Sequence, residues 1–454
     1  MTRSLEISGD LIAKYNRPGP RYTSYPTAVH FSEEIDSEQL LASSRSNTGP
    51  LSLYFHLPFC ETLCWFCGCN TIITKDRSKV GDYRQLLEKE MDLFAEMIVP
   101  HRPVHQLHFG GGTPNFFPAS EIEGLGKSIR DRFSFAEDAE CSVELAPSHL
   151  SEDQVEAFAS FGVQRASFGV QDVDPEVQKA IHRIQPQTTN VRTMDWLRRH
   201  GFRSVNIDLI YGLPGQTVES FQRTLETVLT LDPDRFAIFN YAHVPWMRPA
   251  QKMLEKAGLP TPEEKIDMLR LIVSFLTGNG YRYVGMDHFA KPQDELVRAQ
   301  EQKSLQRNFQ GYSTKAGLEI AAFGVSSISQ TDEAYRQNSK NIETYRHALK
   351  EGRLPIEKGV LVRKEDRIRR DAIHRVMCDL EIVRTEFGKQ WDIDFDSFFA
   401  SGHSGLEELL SDGLMTDDGD RLMVTDEGRL FLRNIAICFD EDQTKSEGKY
   451  SRTL

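Results

Sequence analysis

No stretch of the 454-residue chain approaches the roughly 20 consecutive apolar residues of a membrane-spanning helix. Residues 1–10 also lack the apolar core of a secretory leader. A cytoplasmic protein without a membrane span is therefore expected. Positive charge is short as well: 54 Lys and Arg against 67 Asp and Glu leave a formal charge of −13. That balance argues against general nucleic-acid or anionic-membrane binding, although a local basic pocket remains open. Cysteine is scarce and odd in number, with seven in the chain, which argues against a disulfide framework. Internal repeats and low-complexity tracts are absent. What is abundant is core material: 39% hydrophobic residues, including 27 Phe and 13 Tyr, too many for wholesale disorder.

Residues 51–290 alternate short apolar runs with amphipathic ones. Strands are expected at 51–56, 106–109, 141–145, 164–170, 205–210 and 235–240, and a seventh at 281–286. Helices are expected between them, at 82–98 and 121–133, after the capping box of Ser151 and Gln154, after Asp174-Pro175, from about 218, and at 263–278. Repeated β–α units imply parallel strands joined by right-handed crossovers. They fit a complete or partial α/β barrel; an open doubly wound sheet is the competitor, and periodicity does not separate the two. Residues 1–50 form a polar arm whose Pro18, Gly19 and Pro20 forbid a long helix. Residues 51–350 hold the barrel and an extension. Residues 351–440 form a module with a helix at 406–410, strands at 414–416 and 421–425 around Asp418-Gly419, and a helix at 427–435. This resembles a winged helix, either a DNA reader or a structural lid; the acidic chain favours the lid. Residues 441–454 read as a polar, frayed tail.

Four of the seven cysteines fall within ten residues, in Cys60-Glu61-Thr62-Leu63-Cys64-Trp65-Phe66-Cys67-Gly68-Cys69, directly after the first strand. Their spacing lets Cys60, Cys64 and Cys67 face inward from one loop. Soft thiolates suit an iron–sulfur cluster or zinc. A structural zinc site closes with four ligands, commonly on two separated knuckles, and no second knuckle exists here. Three thiolates on a four-iron cube leave one iron open. Cys69 is a fourth ligand, a loop thiol or a functional group beside the metal. Phe59, Trp65 and Phe66 either shield a ligand or only pack the loop. The other strand ends are polar too: Gly110-Gly111-Gly112-Thr113 after the second, Glu144, Gln171 and Asp208 at the next three, and Tyr241-Ala242 at the sixth. The glycine turn is neither a Gly-x-Gly-x-x-Gly fingerprint nor a P-loop. Polar groups at equivalent strand ends point to one shared site at the carboxyl face of a barrel.

The cysteine spacing and the Gly-Gly-Thr turn resemble the radical S-adenosylmethionine (SAM) enzymes. More specific stretches resemble the oxygen-independent coproporphyrinogen III oxidase family: Gly19-Pro20-Arg21-Tyr22-Thr23-Ser24-Tyr25-Pro26-Thr27, Asn206-Ile207-Asp208-Leu209-Ile210-Tyr211-Gly212-Leu213-Pro214, Gly285-Met286-Asp287-His288-Phe289-Ala290 and Arg307-Asn308-Phe309-Gln310-Gly311-Tyr312. The resemblance implies a partial (β/α)6 radical SAM barrel with an N-terminal arm and a small, mainly helical, winged-helix-like C-terminal domain. It implies a [4Fe–4S] cluster on Cys60, Cys64 and Cys67, with SAM on the fourth iron. Tyr54, Gly111, Glu144 and Ile328 match contacts to this SAM. Phe66, Gly112, Thr113, Gln171, Arg183, Asp208 and Ala242 match contacts to a second SAM. Cys69, Tyr54 and Glu144 match positions needed for activity. The implied chemistry is reductive cleavage of SAM to a 5′-deoxyadenosyl radical. That radical starts the oxidative decarboxylation of two propionates of coproporphyrinogen III to vinyl groups, giving protoporphyrinogen IX in anaerobic haem biosynthesis. A flavodoxin or ferredoxin would supply the electron, and a monomer is expected. Four substrate propionates call for cations: Arg21 and Arg307 are the candidates, with Tyr22 and Gln310 as hydrogen-bond donors; each could equally be structural. The alternatives are a radical SAM enzyme modifying another tetrapyrrole, and a non-catalytic haem-binding or delivery protein.

Three positions depart from the family pattern. Ala146 and Ser148 stand where an acid and an arginine are usual, and His182 where asparagine is common.

Overall fold

The computed structural model describes residues 8–441 and 450–453. Its centre is a twelve-stranded sheet. In chain order the strands are β1 (Leu51–Leu57), β2 (Val104–Gly111), β3 (Phe135–Leu145), β4 (Arg165–Gln171), β5 (Ser204–Tyr211), β6 (Arg235–Asn240), β7 (Arg282–Gly285), β8 (His288–Ala290), β9 (Glu319–Phe323), β10 (Ile328–Gln330), β11 (Ala334–Asn338) and β12 (Ile356–Leu361). The spatial order is β12-β11-β10-β9-β1-β2-β3-β4-β5-β6-β8-β7. The six strands β1 to β6 lie side by side in chain order, every neighbouring pair parallel. A doubly wound sheet reverses its order at a switch point; β1 to β6 do not, and the ends of the sheet, β12 and β7, do not pair. The architecture is a partial (β/α)6 barrel.

The expected seventh strand is present as β7, but it is not another parallel unit. It pairs antiparallel with β8, which pairs antiparallel with β6. Only Met286 and Asp287 separate β7 from β8, too few for a crossover helix. At the other edge β9 joins β1 in parallel, and β10 to β12 continue antiparallel.

Two polar ties hold the mouth of this barrel. Tyr83, on the helix Lys79–Met97, donates to the His56 carbonyl at 2.9 Å, where β1 runs into the cysteine loop. Two turns further, Glu90 is buried; it accepts from Tyr345 (2.5 Å), the Gly324 amide (2.8 Å) and Asn338 (2.6 Å). The second tie is Arg433, also buried, which donates to the carbonyls of Gly19, Pro20 (3.1 Å) and Arg452 (2.9 Å). The arm is thereby clasped to the C-terminal module. Residues 450–453, expected to fray, instead return to the arm: Thr453 donates to the Arg17 carbonyl at 2.9 Å, and Gly19 to Ser451 at 3.1 Å. The rest of the expected tail, 442–449, lies outside the described residues.

The C-terminal module contains β13 (Glu381–Val383), β14 (Met415–Asp417) and β15 (Arg421–Val424), in the order β13-β15-β14, with helices Lys364–Cys378, Arg384–Trp391 and His403–Ser411. The helix expected at 427–435 is a 3-10 turn, Gly428–Phe431, followed by Leu432–Ile437. Every residue of that last helix is buried, so it cannot present a recognition face to nucleic acid. No helix among the described residues is long and apolar enough to cross a membrane.

Glu90 gives this fold a pH signature. Burial pushes its carboxyl from 4.5 up to about 7. The folded state therefore holds its proton above the pH at which the unfolded chain has released it. Stability from this site is full below about pH 4.5 and is lost as pH rises towards 7. Glu90→Gln is expected to flatten that decline in urea unfolding midpoints. A variant whose midpoint falls in parallel with wild type would remove Glu90 as its cause.

Candidate active site

The cysteine loop is closed by backbone bonds rather than by its side chains. Phe59–Cys60 and Ile72–Ile73 pair in parallel; the Ile72 amide reaches the Pro58 carbonyl at 2.8 Å and the Thr74 amide that of Cys60 at 2.9 Å. Within the loop, Cys67 N–H bonds the Cys64 carbonyl at 3.1 Å, and Cys69 N–H points at the Cys67 sulfur at 3.4 Å. Outside ties fix it to the barrel. Trp65 N–H donates to the Ile181 carbonyl at 3.1 Å, and His182 Nδ1 to that of Leu63 at 2.9 Å. The His182 ring stacks on Trp65 at 5.1 Å. His182 is left-handed, with φ 57°, a conformation that suits asparagine and also admits histidine. The departure at this position is thus accommodated, and the new side chain pins the loop. Gln251, buried, donates to the carbonyls of Phe66 (3.1 Å) and Ala242 (3.2 Å), joining the loop to the end of β6.

The glycine turn at the end of β2 is forced by protein neighbours. A Cβ at Gly110 would lie 2.9 Å from a Glu144 oxygen, one at Gly111 2.6 Å from the His56 ring, and one at Gly112 2.6 Å from the Pro58 backbone. Gly111 also has φ 110°. The family resemblance implies cofactor contacts at Gly111 and Gly112; the lack of side chains here also lets β1, β2 and β3 close on one another. Thr113, next along, sits with its hydroxyl 3.3 Å from the Cys60 sulfur.

Beyond the turn, the barrel encloses a cavity of about 850 Å3. Glu144 faces it, accepting from His108 Nε2 and from the Gly111 amide, each at 3.3 Å. Enclosure raises its pKa, but these donors outweigh it and leave the carboxyl below its ordinary range. Asp208 is the contrast: burial, with Glu144 nearby, pushes it up to about 7, although Ser167 (3.0 Å) and Asn206 (2.7 Å) donate to it. Two carboxyl groups on one cavity thus differ in proton affinity. Arg183 crosses between them and the cysteines, donating to the Gly169 carbonyl at 2.7 Å and reaching the Cys64 sulfur at 3.7 Å. All cysteines are free; burial pushes Cys60 up to about 11, and the Cys69 thiol beside Cys67 brings Cys67 down to about 6.

Most of the sequence-derived candidates meet here. Cys60, Cys64, Cys67, Cys69, Phe66, Gly111, Gly112, Thr113, Glu144, Gln171, Arg183, Asp208 and Gln310 all line the cavity. Six do not. Tyr54 stands behind the lining, its ring stacked on His108 at 5.8 Å and its hydroxyl donating to His56 Nδ1 at 3.2 Å. Ala242 is reached through Gln251. Ile328 packs on the cluster of Phe31, Tyr335 and Val362. Arg21 is paired with Asp287 at 2.7 Å and lies over the Phe239 ring. Tyr22, left-handed with φ 47°, spends its hydroxyl on Asp440 at 2.9 Å and is buried, so its expected donation to a ligand is not available in this arrangement. Arg307 faces a neighbouring cavity of about 380 Å3; it lies over Tyr312 at 4.9 Å, and its Nε and Nη1 have no partner among the described residues. Sequence reasoning missed the wall between these arginines: Phe239, His288 and Tyr312 line the main cavity, with His288 edge-on to both rings. Two of the three lie inside stretches already singled out; no local pattern marked them as cavity-facing.

With this geometry in view, comparison with known proteins is specific. Residues 54–228 match the radical SAM superfamily. An oxygen-independent coproporphyrinogen III oxidase from Synechocystis sp. is 43% identical over 99% of each chain. One from Escherichia coli (strain K12) is 44% identical over 95% of this chain and 94% of its own. The solved structure of coproporphyrinogen III oxidase from Escherichia coli, a radical SAM enzyme, superposes with a TM-score of 0.91 at 41% identity, covering 97% of this chain and 100% of that one. The chain belongs to the oxygen-independent coproporphyrinogen III oxidase family. Membership brings a [4Fe–4S] cluster and SAM as cofactors.

The residues present fit such a group. Three free thiols on one backbone-closed loop face a cavity that also presents Arg183, Glu144 and the Gly111 amide. No three of the described His, Cys, Asp and Glu side chains converge on an ion-sized point. A cube bound through one thiolate per iron asks for spread donors. The departures Ala146 and Ser148 also line the cavity; Ala146 is held by Asn115 (2.9 and 3.1 Å) and Ser148 by Gln185 (3.3 Å), so the turn keeps its shape without the missing acid and arginine.

Replacement of Cys60, Cys64 or Cys67 by Ala is expected to abolish the brown chromophore of anaerobically reconstituted protein. Cys69→Ala should retain iron and colour. Loss of both in the Cys69 variant, or their persistence in any of the other three, would contradict this ligand set.

Proposed function

We propose that the protein oxidatively decarboxylates two propionate side chains of coproporphyrinogen III to vinyl groups, yielding protoporphyrinogen IX. The observation that carries this reading is a single barrel cavity with a three-thiol loop at its mouth and an aromatic wall flanked by arginines beyond it. In each round a –CH2–CH2–COO⁻ group gives up one hydrogen atom to the cofactor-derived radical, one electron to an external one-electron acceptor, and carbon dioxide, and becomes –CH=CH2.

Cys60, Cys64 and Cys67 would hold the cluster, which when bound with SAM supplies the hydrogen-abstracting radical. The protein's own work is positioning. Glu144 and the Gly111 amide, braced through His108, Tyr54 and His56, would hold the first SAM, while Ile328, packed on Phe31, Tyr335 and Val362, would act only from behind the lining. Gln171, Arg183 and Asp208, together with Phe66, Gly112 and Thr113, would hold a second SAM, and Ala242 is tied to the cysteine loop through Gln251. The low carboxyl of Glu144 suits an ammonium partner, whereas the raised one of Asp208 suits hydrogen bonding in its neutral form. Phe239, His288 and Tyr312 take a face of the macrocycle and exclude water. Arg307, with two donors unpartnered among the described residues, takes a propionate; Gln310, whose Nε2 is likewise unpartnered among them, assists it, and Arg21 contributes from its pair with Asp287. Residues 351–440 act as a lid on this side. A flavodoxin or ferredoxin supplies the electron, a single chain carries every group named, and the free thiols suit the reducing cytoplasm.

Anaerobic turnover of coproporphyrinogen III by reconstituted protein should give the divinyl product and carbon dioxide. Arg307→Gln should raise KM by about tenfold or more, the worth of a charge-assisted hydrogen bond of roughly 1.5–3 kcal/mol, and leave iron content unchanged. A modified tetrapyrrole without carbon dioxide, or haem binding without SAM cleavage, would overturn the assignment.

A further inference from the structure

The barrel mouth has an outer face that the reaction as described does not use. The segment after β6 turns sharply, with Met247 and Arg248 amides both on the Val244 carbonyl. This turn leaves Trp246 and Met247 58% and 60% exposed, adjacent large apolar side chains on open surface. The next residue, Arg248, donates to the Gly68 carbonyl, between Cys67 and Cys69. From the opposite side, Asn70 reaches the Lys340 carbonyl at 3.5 Å, so the end of β11 also abuts the cysteine loop. Lys340 is exposed, and its amide donates to Glu357 on the neighbouring β12 at 3.3 Å; Lys358 follows Glu357 on the same strand. Partial enclosure, with the charges of Lys358 and Arg248, lowers the pKa of Lys340, and Glu357 acts in the opposite direction, so both other cations act on Lys340. None of the three makes an ion pair with a described carboxylate, whereas Arg21 pairs with Asp287 and Arg183 bonds the Gly169 carbonyl.

Unpaired cations gathered at one point are notable on a chain whose formal charge is −13. Like charges repel unless a partner of opposite sign is to be drawn there, and such a patch steers encounter more than it stabilises the fold. Its position identifies the partner's task, since it borders the loop that holds the cluster and an exposed aromatic and a methionine supply the desolvated centre of a small interface. We propose that Trp246, Met247, Arg248, Lys340 and Lys358 form the docking face for an acidic, low-potential redox protein that delivers one electron to the cluster, the donor being oxidised by one electron. The inference rests on the cluster assignment above.

The test uses reconstituted holoenzyme, with a strongly acidic flavodoxin as the probe, in two measurements. Binding is measured anaerobically at several salt concentrations, and turnover is compared between reduced flavodoxin and dithionite. The Lys340→Glu/Lys358→Glu double variant is expected to raise the flavodoxin Kd by about tenfold or more and to flatten its salt dependence. Dithionite-driven turnover should stay within about twofold of wild type, as expected where only an encounter surface is altered. Trp246→Ala should weaken binding while keeping the salt dependence. Unchanged Kd in either variant overturns the proposal. So does an equal loss with both reductants, which would assign the cations to entry of the anionic substrate. If wild type binds flavodoxin and the double variant does not, yet coproporphyrinogen III is never consumed, the docking face stands and the substrate reading falls.

Discussion

The site depends on how closely three strand ends approach one another. At the end of β2 there is no room for a single methyl group: one would collide with Glu144, another with the His56 ring, a third with the Pro58 backbone. Because Gly110, Gly111 and Gly112 have no side chains, β1 can hand the chain to the cysteine loop directly above β2, and Glu144 can come from β3 within reach of the Gly111 amide. Thiols, carboxylate and backbone donor then face the same space. Packing of this density is unforgiving, since interiors relax only partly around an added atom.

That approach is held from outside by polar groups with few alternatives. Tyr83 fixes the His56 carbonyl, Glu90 fixes the turn at Gly324 that passes beside it, and His56 in turn donates to the Asn70 carbonyl at 2.9 Å on the far side of the loop. Each is buried, so each costs free energy if left unpaired. On the opposite flank Arg433 joins the arm, the tail and the last helix. Its carbonyl partners belong to Gly19 and Pro20, immediately before Arg21, so the clasp also sets where Arg21 meets Asp287 and Phe239. The aromatic wall, the arginines and the C-terminal helix Lys364–Cys378 are assembled by the same contacts that close the fold.

Much of this was legible in the sequence, and the limits have physical causes. The six parallel strands were readable because each is a short apolar run between amphipathic helices. The polar residues at their ends stood out because buried strands rarely end that way. The first half of β3, Phe135 to Glu140, escaped notice because its side chains alternate weakly and lie partly in solvent. The pairing of β9 with β1 escaped because it joins residues more than 260 positions apart, which local periodicity cannot report. Tyr22 looked like a ligand donor from its setting in the arm, but its left-handed backbone turns the hydroxyl towards Asp440. His182 departs from the asparagine common in the family, yet the position asks for a left-handed backbone and a polar atom, and histidine offers both.

Three thiolates would bind the cluster and leave one iron free for SAM, with Glu144 and the Gly111 amide lining the same cavity. Mössbauer spectroscopy of iron-enriched, anaerobically reconstituted protein, recorded with and without SAM, distinguishes that iron from the other three. One of the four iron subsites should change its isomer shift and quadrupole splitting when SAM is added, and the other three should not. A spectrum indifferent to SAM, or a protein that takes up zinc in place of iron, would contradict an open iron on three thiolates.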